Sequence, residues 1–136
     1  MYKINYDAAT FEHEGKSGIR VIIRDSHGAA IAFLSQLIPC AYQAADMEAI
    51  AANRALEFAR EIEINDAILE GDSSLVHLAL KRGEQSLSST SFRTLHYSHT
   101  KREGNKVTHG LARHTIHVLD YVVWMESVPP LSYAVF

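Results

Sequence analysis

Cysteine is almost absent from this sequence, proline and tryptophan are scarce, and no apolar run approaches the roughly 20 residues needed to span a bilayer. The single cysteine, Cys40, allows no internal disulfide and no cysteine metal cluster, which agrees with a reducing compartment. Its thiol is read as inert. The first residues, Met1-Tyr2-Lys3-Ile4, enter a strand pattern rather than a signal peptide. The expectation is a soluble, intracellular chain with no membrane partner and no small-molecule cofactor. Nucleus or cytoplasm, and the oligomeric state, stay undetermined.

What is present suits one packed core. The chain has 136 residues, 47% hydrophobic and 21% charged, about the size of one domain. The net charge of -3 hides an asymmetry: residues 1–80 carry 6 Lys/Arg against 12 Asp/Glu, residues 81–136 carry 7 against 4, and five of the eight histidines lie in the second part. Such a split fits an acidic metal site beside a basic surface for a polyanion, and ordinary scatter of surface charge produces it as well.

The order of elements narrows the fold. Tyr2 to Asp7 alternates with period two, as do Gly18 to Arg24 and Ala29 to Ser35, the last two joined by the hairpin turn Asp25-Ser26-His27-Gly28. Pro39 ends the pattern. From about Ala45 to Ile62, apolar residues recur at Met47, Ile50, Ala51, Phe58, Ala59 and Ile62, a helical stripe in an alanine-rich segment. Ala67 to Leu69 reads as a strand, Ser74 to Leu80 as a short helix, Thr94 to His99 as a strand and Val107 to about Tyr121 as a final helix. Ser86 to Ser91 reads as a loop. The expected architecture is a single α/β domain over residues 1–136, a mixed five-stranded sheet with three antiparallel strands followed by two parallel ones, flanked by helices.

Within that order, "ILEGDS" ends an apolar strand on Glu70-Gly71-Asp72, where burying charge is expensive. Asp7 closes the first strand, Glu48 lies near the start of the long helix and Asp72 follows the fourth strand. Ala44, Ala45, Ala51 and Ala52 would let Glu48 approach the sheet closely. Converging carboxylates repel unless a cation neutralises them, and hard oxygen ligands suit Mg²⁺ or Mn²⁺. Singly, each residue has a plainer role: Asp7 starting a turn, Asp72 capping a helix, Glu48 favouring a helix N-terminus. Glu70 points to the other side and is expected to be solvated.

Five stretches in order, "KINYD", "GIRVIIRD", "ADMEAIAANRAL", "LEGDS" and "HTKREGNKVTHGLAR", with "WMESVPP" at the tail, give the chain its likeness to a family. It resembles the plant ribonuclease H-like domains, many of them derived from the reverse transcriptases of non-LTR retrotransposons. The resemblance implies a ribonuclease H-like fold and binding of RNA–DNA hybrids. It also implies that Asp7, Glu48 and Asp72 are three of four metal ligands in a two-metal Mg²⁺ (or Mn²⁺) site, and that His99 assists proton transfer or product release. Lys101, Arg102, Asn105, Lys106 and Arg113 flank the proposed site, and their basic members could hold phosphates.

Two departures stand out. The fourth ligand position, an aspartate in many ribonucleases H, falls on His109, a poorer Mg²⁺ ligand without negative charge, which puts the second metal in doubt. A family helix is missing between about Arg82 and Thr94, and its loss would uncover apolar surface. A zinc reading of His109, His114 and His117 fails because His114 falls on the apolar stripe and the spacing is wrong. The leading reading is metal-dependent endonucleolytic hydrolysis of the RNA strand of RNA–DNA hybrids. The alternatives are a nucleic-acid-binding module that has lost cleavage, or a decayed retroelement fragment.

Overall fold

The computed structural model describes residues 1–71, 92–99, 121–125 and 134–135. Three strands open the chain, β1 (Tyr2–Phe11), β2 (Lys16–Arg24) and β3 (Ala30–Ile38), followed by helix α1 (Ala44–Glu61) and the strands β4 (Asp66–Gly71) and β5 (Thr94–His99). β1, β2 and β3 pair antiparallel, and β4 and β5 run parallel to β1. These are the five expected strands and the first of the three expected helices, with β5 bounded as the alternation indicates. Two further strands, β6 (Tyr121–Met125) and β7 (Ala134–Val135), extend the sheet beyond β3, giving the order β5-β4-β1-β2-β3-β6-β7. The helical pattern extends to about Tyr121 in sequence; that residue instead begins β6, whose "YVVWM" run is a strand paired antiparallel with β3. The expected Ser74–Leu80 helix, the Ser-rich loop, the missing family helix and the rest of the final helix lie outside the described residues.

Local chemistry explains the turns. At the β2–β3 hairpin, Asp25 Oδ1 accepts the amides of His27 (2.9 Å) and Ala29 (3.0 Å). Gly28 adopts φ 84°, a conformation that costs residues with a Cβ, and the register slips between Ile23 and Arg24.

One face of the sheet forms the core. Ile4, Tyr6, Ile19, Val21, Ile23, Ala32 and Leu34 are buried against α1, which contributes Met47, Ala51, Ala52, Ala55, Leu56, Phe58 and Ala59. The alanines bring the helix axis close to the sheet, while Leu56 and Phe58 supply bulk, each worth about 1.5–3 kcal/mol on full burial. Arg54 ties α1 to β3, donating from Nε to Gln36 Oε1 at 3.0 Å. No helix among the described residues is long and apolar enough to cross a membrane.

α1 ends by sharp reversal. The amide of Ile64 donates to Ala59 O and that of Glu63 to Arg60 O, both at 3.0 Å, the paired bonds of a Schellman cap. The cap needs a left-handed residue, and here Glu63 takes φ 66° where glycine is the usual occupant. Since a Cβ costs roughly 1–2 kcal/mol in this region, exposed Glu63 stores strain. Glu63→Gly is therefore expected to raise the urea midpoint, by a gain of about 1 kcal/mol after the added chain entropy of glycine. An unchanged or lower midpoint would contradict this account of the cap.

Candidate active site

Glu48 owes its position to polar ties between the sheet and the segment preceding α1. Thr10 Oγ1 donates to Tyr42 O (2.9 Å), Ser17 Oγ donates to Cys40 O (2.7 Å), and the Tyr42 amide donates to Ser17 Oγ (3.2 Å). Thr10 and Ser17 are register partners near the C-terminal end of β1, so the helix starts there. Glu48, in the second turn of α1, lies one turn before the buried Ala51 and Ala52 and is half-buried on the same side of the helix.

Asp7 sits differently from the sequence expectation. It does not close β1, which continues to Phe11; it is a mid-strand residue only 3% exposed. Strand alternation turns Ile4 and Tyr6 toward α1 and Asp7 to the opposite face. Asp7 and Glu48 thus start from opposite sides of the sheet. The strand that stops here is β4: its register with β1 runs to Asn5 opposite Glu70, and its last residue is Gly71. Beyond Gly71 this edge of β1 has no ladder partner among the described residues, so Asp7 lies next to the open end of β4.

Gly71 is required at this point by packing rather than by backbone conformation. A Cβ there would stand 2.6 Å from Cε1, Cζ and Oη of Tyr6, a fully buried ring. The ring of Tyr6 lies against the bare Gly71 backbone, immediately before Asp72 in the chain. His99, the last residue of β5, has Gly71 as its register partner. Asp72, His109, Lys101, Arg102, Asn105, Lys106 and Arg113 lie outside the described residues.

Glu70 departs from the solvated position expected of it. Its Oε2 accepts from Asn5 Nδ2 at 3.0 Å, its Oε1 stands 3.9 Å from Lys3 Nζ, and its side chain is 20% exposed. Parallel register explains this, because Glu70 lies opposite Asn5.

Sequence reasoning missed Arg20. It is the antiparallel partner of Asp7, and Ser35 lies opposite it on the other side. Arg20 is 6% exposed, and desolvation lowers its guanidinium pKa from the ordinary value. The "GIRVIIRD" run held the signal, since a charged residue there interrupts an otherwise apolar strand, but only the register shows what it faces.

A groove of about 360 Å³ between α1 and the β2–β3 surface, lined by Ile19, Ile38, Ile50 and Arg54 among others, lies apart from Asp7 and takes no part in this arrangement. Among the described residues no three His, Cys, Asp or Glu side chains form a metal-holding group. Asp7 and Glu48 each offer carboxylate oxygens, the donor chemistry that a hard divalent cation takes.

The profile of the reverse transcriptase-like family matches residues 5–115. The chain belongs to this family. Solved structures give this reverse transcriptase-like domain a ribonuclease H-like fold. RNase H1 from the halophilic archaeon Halobacterium salinarum NRC-1 superposes with a TM-score of 0.74 at 22% identity, covering 85% of this chain and 97% of that one. LC11-RNase H1, solved in complex with an RNA/DNA hybrid, gives 0.72 at 19% identity, covering 86% and 97%. The N-terminal RNase H domain of Rv2228c from Mycobacterium tuberculosis gives 0.70 at 18%, covering 85% and 93%. No curated protein sequence matches the reverse transcriptase-like domain.

The Tyr6–Gly71 contact yields a test. Gly71→Ala is expected to destabilise the domain by about 1–3 kcal/mol, the usual cost of overpacking a filled core. Tyr6→Leu in the same chain should recover part of that loss by emptying the space the new methyl needs, with chemical denaturation as the measurement. A neutral Gly71→Ala would show that the ring does not confine this position.

Proposed function

We propose that this domain binds RNA–DNA hybrids and hydrolyses their RNA strand by a divalent-metal-dependent endonuclease reaction. The observation that carries the reading is the buried carboxylate of Asp7, mid-strand in a ribonuclease H-like sheet and beside the end of β4. Its carboxylate oxygens are hard donors of the kind that Mg²⁺ or Mn²⁺ takes, held in a fixed place by the paired strands. The ribonuclease H1 solved with an RNA/DNA hybrid shares the fold and supports the choice of substrate.

In this reading Asp7, Glu48 and Asp72 hold Mg²⁺ or Mn²⁺, with His109 as the fourth ligand. Two such ions supply activation of a water and stabilisation of the leaving 3′ oxygen in an in-line displacement at phosphorus. The protein's own part is to fix the donors and the substrate. α1 holds Glu48, β1 holds Asp7, and Tyr6 against Gly71 sets the close approach of β1 to the end of β4. His99 would move a proton, while Lys101, Arg102, Lys106 and Arg113 would grip phosphates without reading sequence, aided by Asn105. A second reading, a hybrid-binding module that no longer cleaves, is favoured by His109, which brings no negative charge, at a position suited to a carboxylate.

Cleavage of a labelled RNA–DNA hybrid in Mg²⁺, Mn²⁺ or EDTA separates the two. The enzyme reading expects metal-dependent cutting of the RNA strand, with Glu48→Gln slowing it by roughly 100-fold or more, as loss of one preorganised electrostatic group does, while hybrid binding persists. His109→Asp should cleave faster in Mg²⁺, with a smaller gain in Mn²⁺. Binding without cutting by the folded parent would select the module, and neither binding nor cutting would reject both.

Metal should also stabilise the fold. At about 100 times its dissociation constant, a ligand bound only by the native state adds roughly 2.7 kcal/mol. Thermal melting in millimolar Mn²⁺ is expected to lie above melting in EDTA, and coincident midpoints would count against a formed site.

A further inference from the structure

The most unusual charge among the described residues is Arg20, a guanidinium 6% exposed in the middle of β2. Arginine stays protonated at neutral pH even when burial lowers its pKa, so this position holds a positive charge that requires an anion. Among the described residues the register limits the candidates. Across the sheet Arg20 faces Asp7 and Ser35. Its diagonal neighbours on the same face are Asn5 and Ala9 on β1, and Phe33 and Leu37 on β3, while Gly18 and Ile22 flank it along β2. Asp7 alone among these carries a charge. Side chains directly opposite in an antiparallel pair have Cβ atoms about 4.5–5.5 Å apart, within easy reach of a guanidinium. The anion on the next rung, Glu70, is engaged by Asn5 and Lys3.

We propose that Arg20 is the resident counter-charge of Asp7 and sets the divalent-metal affinity of the site. The inference rests on the metal reading above and adds a competitor to it. With a unit positive charge beside Asp7, an entering cation gains less from that carboxylate and meets repulsion from the guanidinium. The site is tuned toward weak metal binding, while the free domain is spared an uncompensated buried aspartate.

The test uses the whole chain in two measurements. In EDTA, melting of the parent, Asp7→Asn, Arg20→Met and the double variant forms a double-mutant cycle, and the double variant is expected to be at least as stable as either single one. By calorimetric titration with Mn²⁺ alone, Arg20→Met should bind about tenfold or more tightly than the parent, since a unit positive charge in contact with a ligand carboxylate opposes a second cation by at least that factor in a partly buried site. Arg20→Lys, which keeps the charge, should retain the parent's affinity. Arg20→Gln provides a second neutral variant should Arg20→Met fail to fold. Additive effects in the cycle, or parental affinity in the neutral variants, overturn the inference and leave the metal site standing. No Mn²⁺ bound by the folded parent or by any folded variant overturns the metal site and the inference together.

Discussion

The close seating of α1 on the face formed by β1 and β2 is the constraint on which the rest of the arrangement depends. Ala51, Ala52, Ala55 and Ala59 keep the helix near the sheet, and Thr10 and Ser17 fasten the segment before it at Tyr42 and Cys40. The fastening is polar and the seating apolar. Together they determine both the height of α1 along β1 and the side of the helix that Glu48 occupies. A bulkier residue at any of the four alanine positions would lift the helix, and the glutamate with it, away from the strand that carries Asp7.

The second consequence concerns charge. The sheet has an apolar face toward α1, while its other face carries a buried polar row of Asp7, Arg20 and Ser35, with Asn5 on the adjacent rung. Polar groups in that position lower the stability available from hydrophobic burial and are tolerated only when they compensate one another or a ligand. Strands β1, β2 and β3 are long and well paired, so the framework can carry them. The proposed site thus draws on the part of the sheet that is least apolar.

Most of the framework was legible in the chain. Strand alternation and the alanine-rich helical period are local properties, and they located β1 to β5 and α1 to within a few residues. The turn at Asp25 to Gly28 was equally local, since Asp25 accepts from amides two and four residues on and Gly28 supplies the positive φ. β6 was not legible: "YVVWM" follows a helical pattern closely, and its strand character comes from pairing with β3, far away in sequence. Asp7 reads as a strand end in sequence because the alternation beyond it weakens into Ala8, Ala9 and Thr10, small residues that continue the ladder without marking it.

The sequence by itself determined the inventory: one apolar helix stripe, five strands in order, and the carboxylates Asp7 and Glu48 on separate elements. Tertiary structure decided the relations among them. That Glu70 meets Asn5 and Lys3 rather than water, that Gly71 has no room for a methyl because of Tyr6, and that Arg20 stands across from Asp7 all follow from register. Register is a pairing between distant segments, and a shift of one residue would move every side chain to the other face. Periodicity reports which residues share a face of their own strand; only the paired sheet determines which residues they face across it.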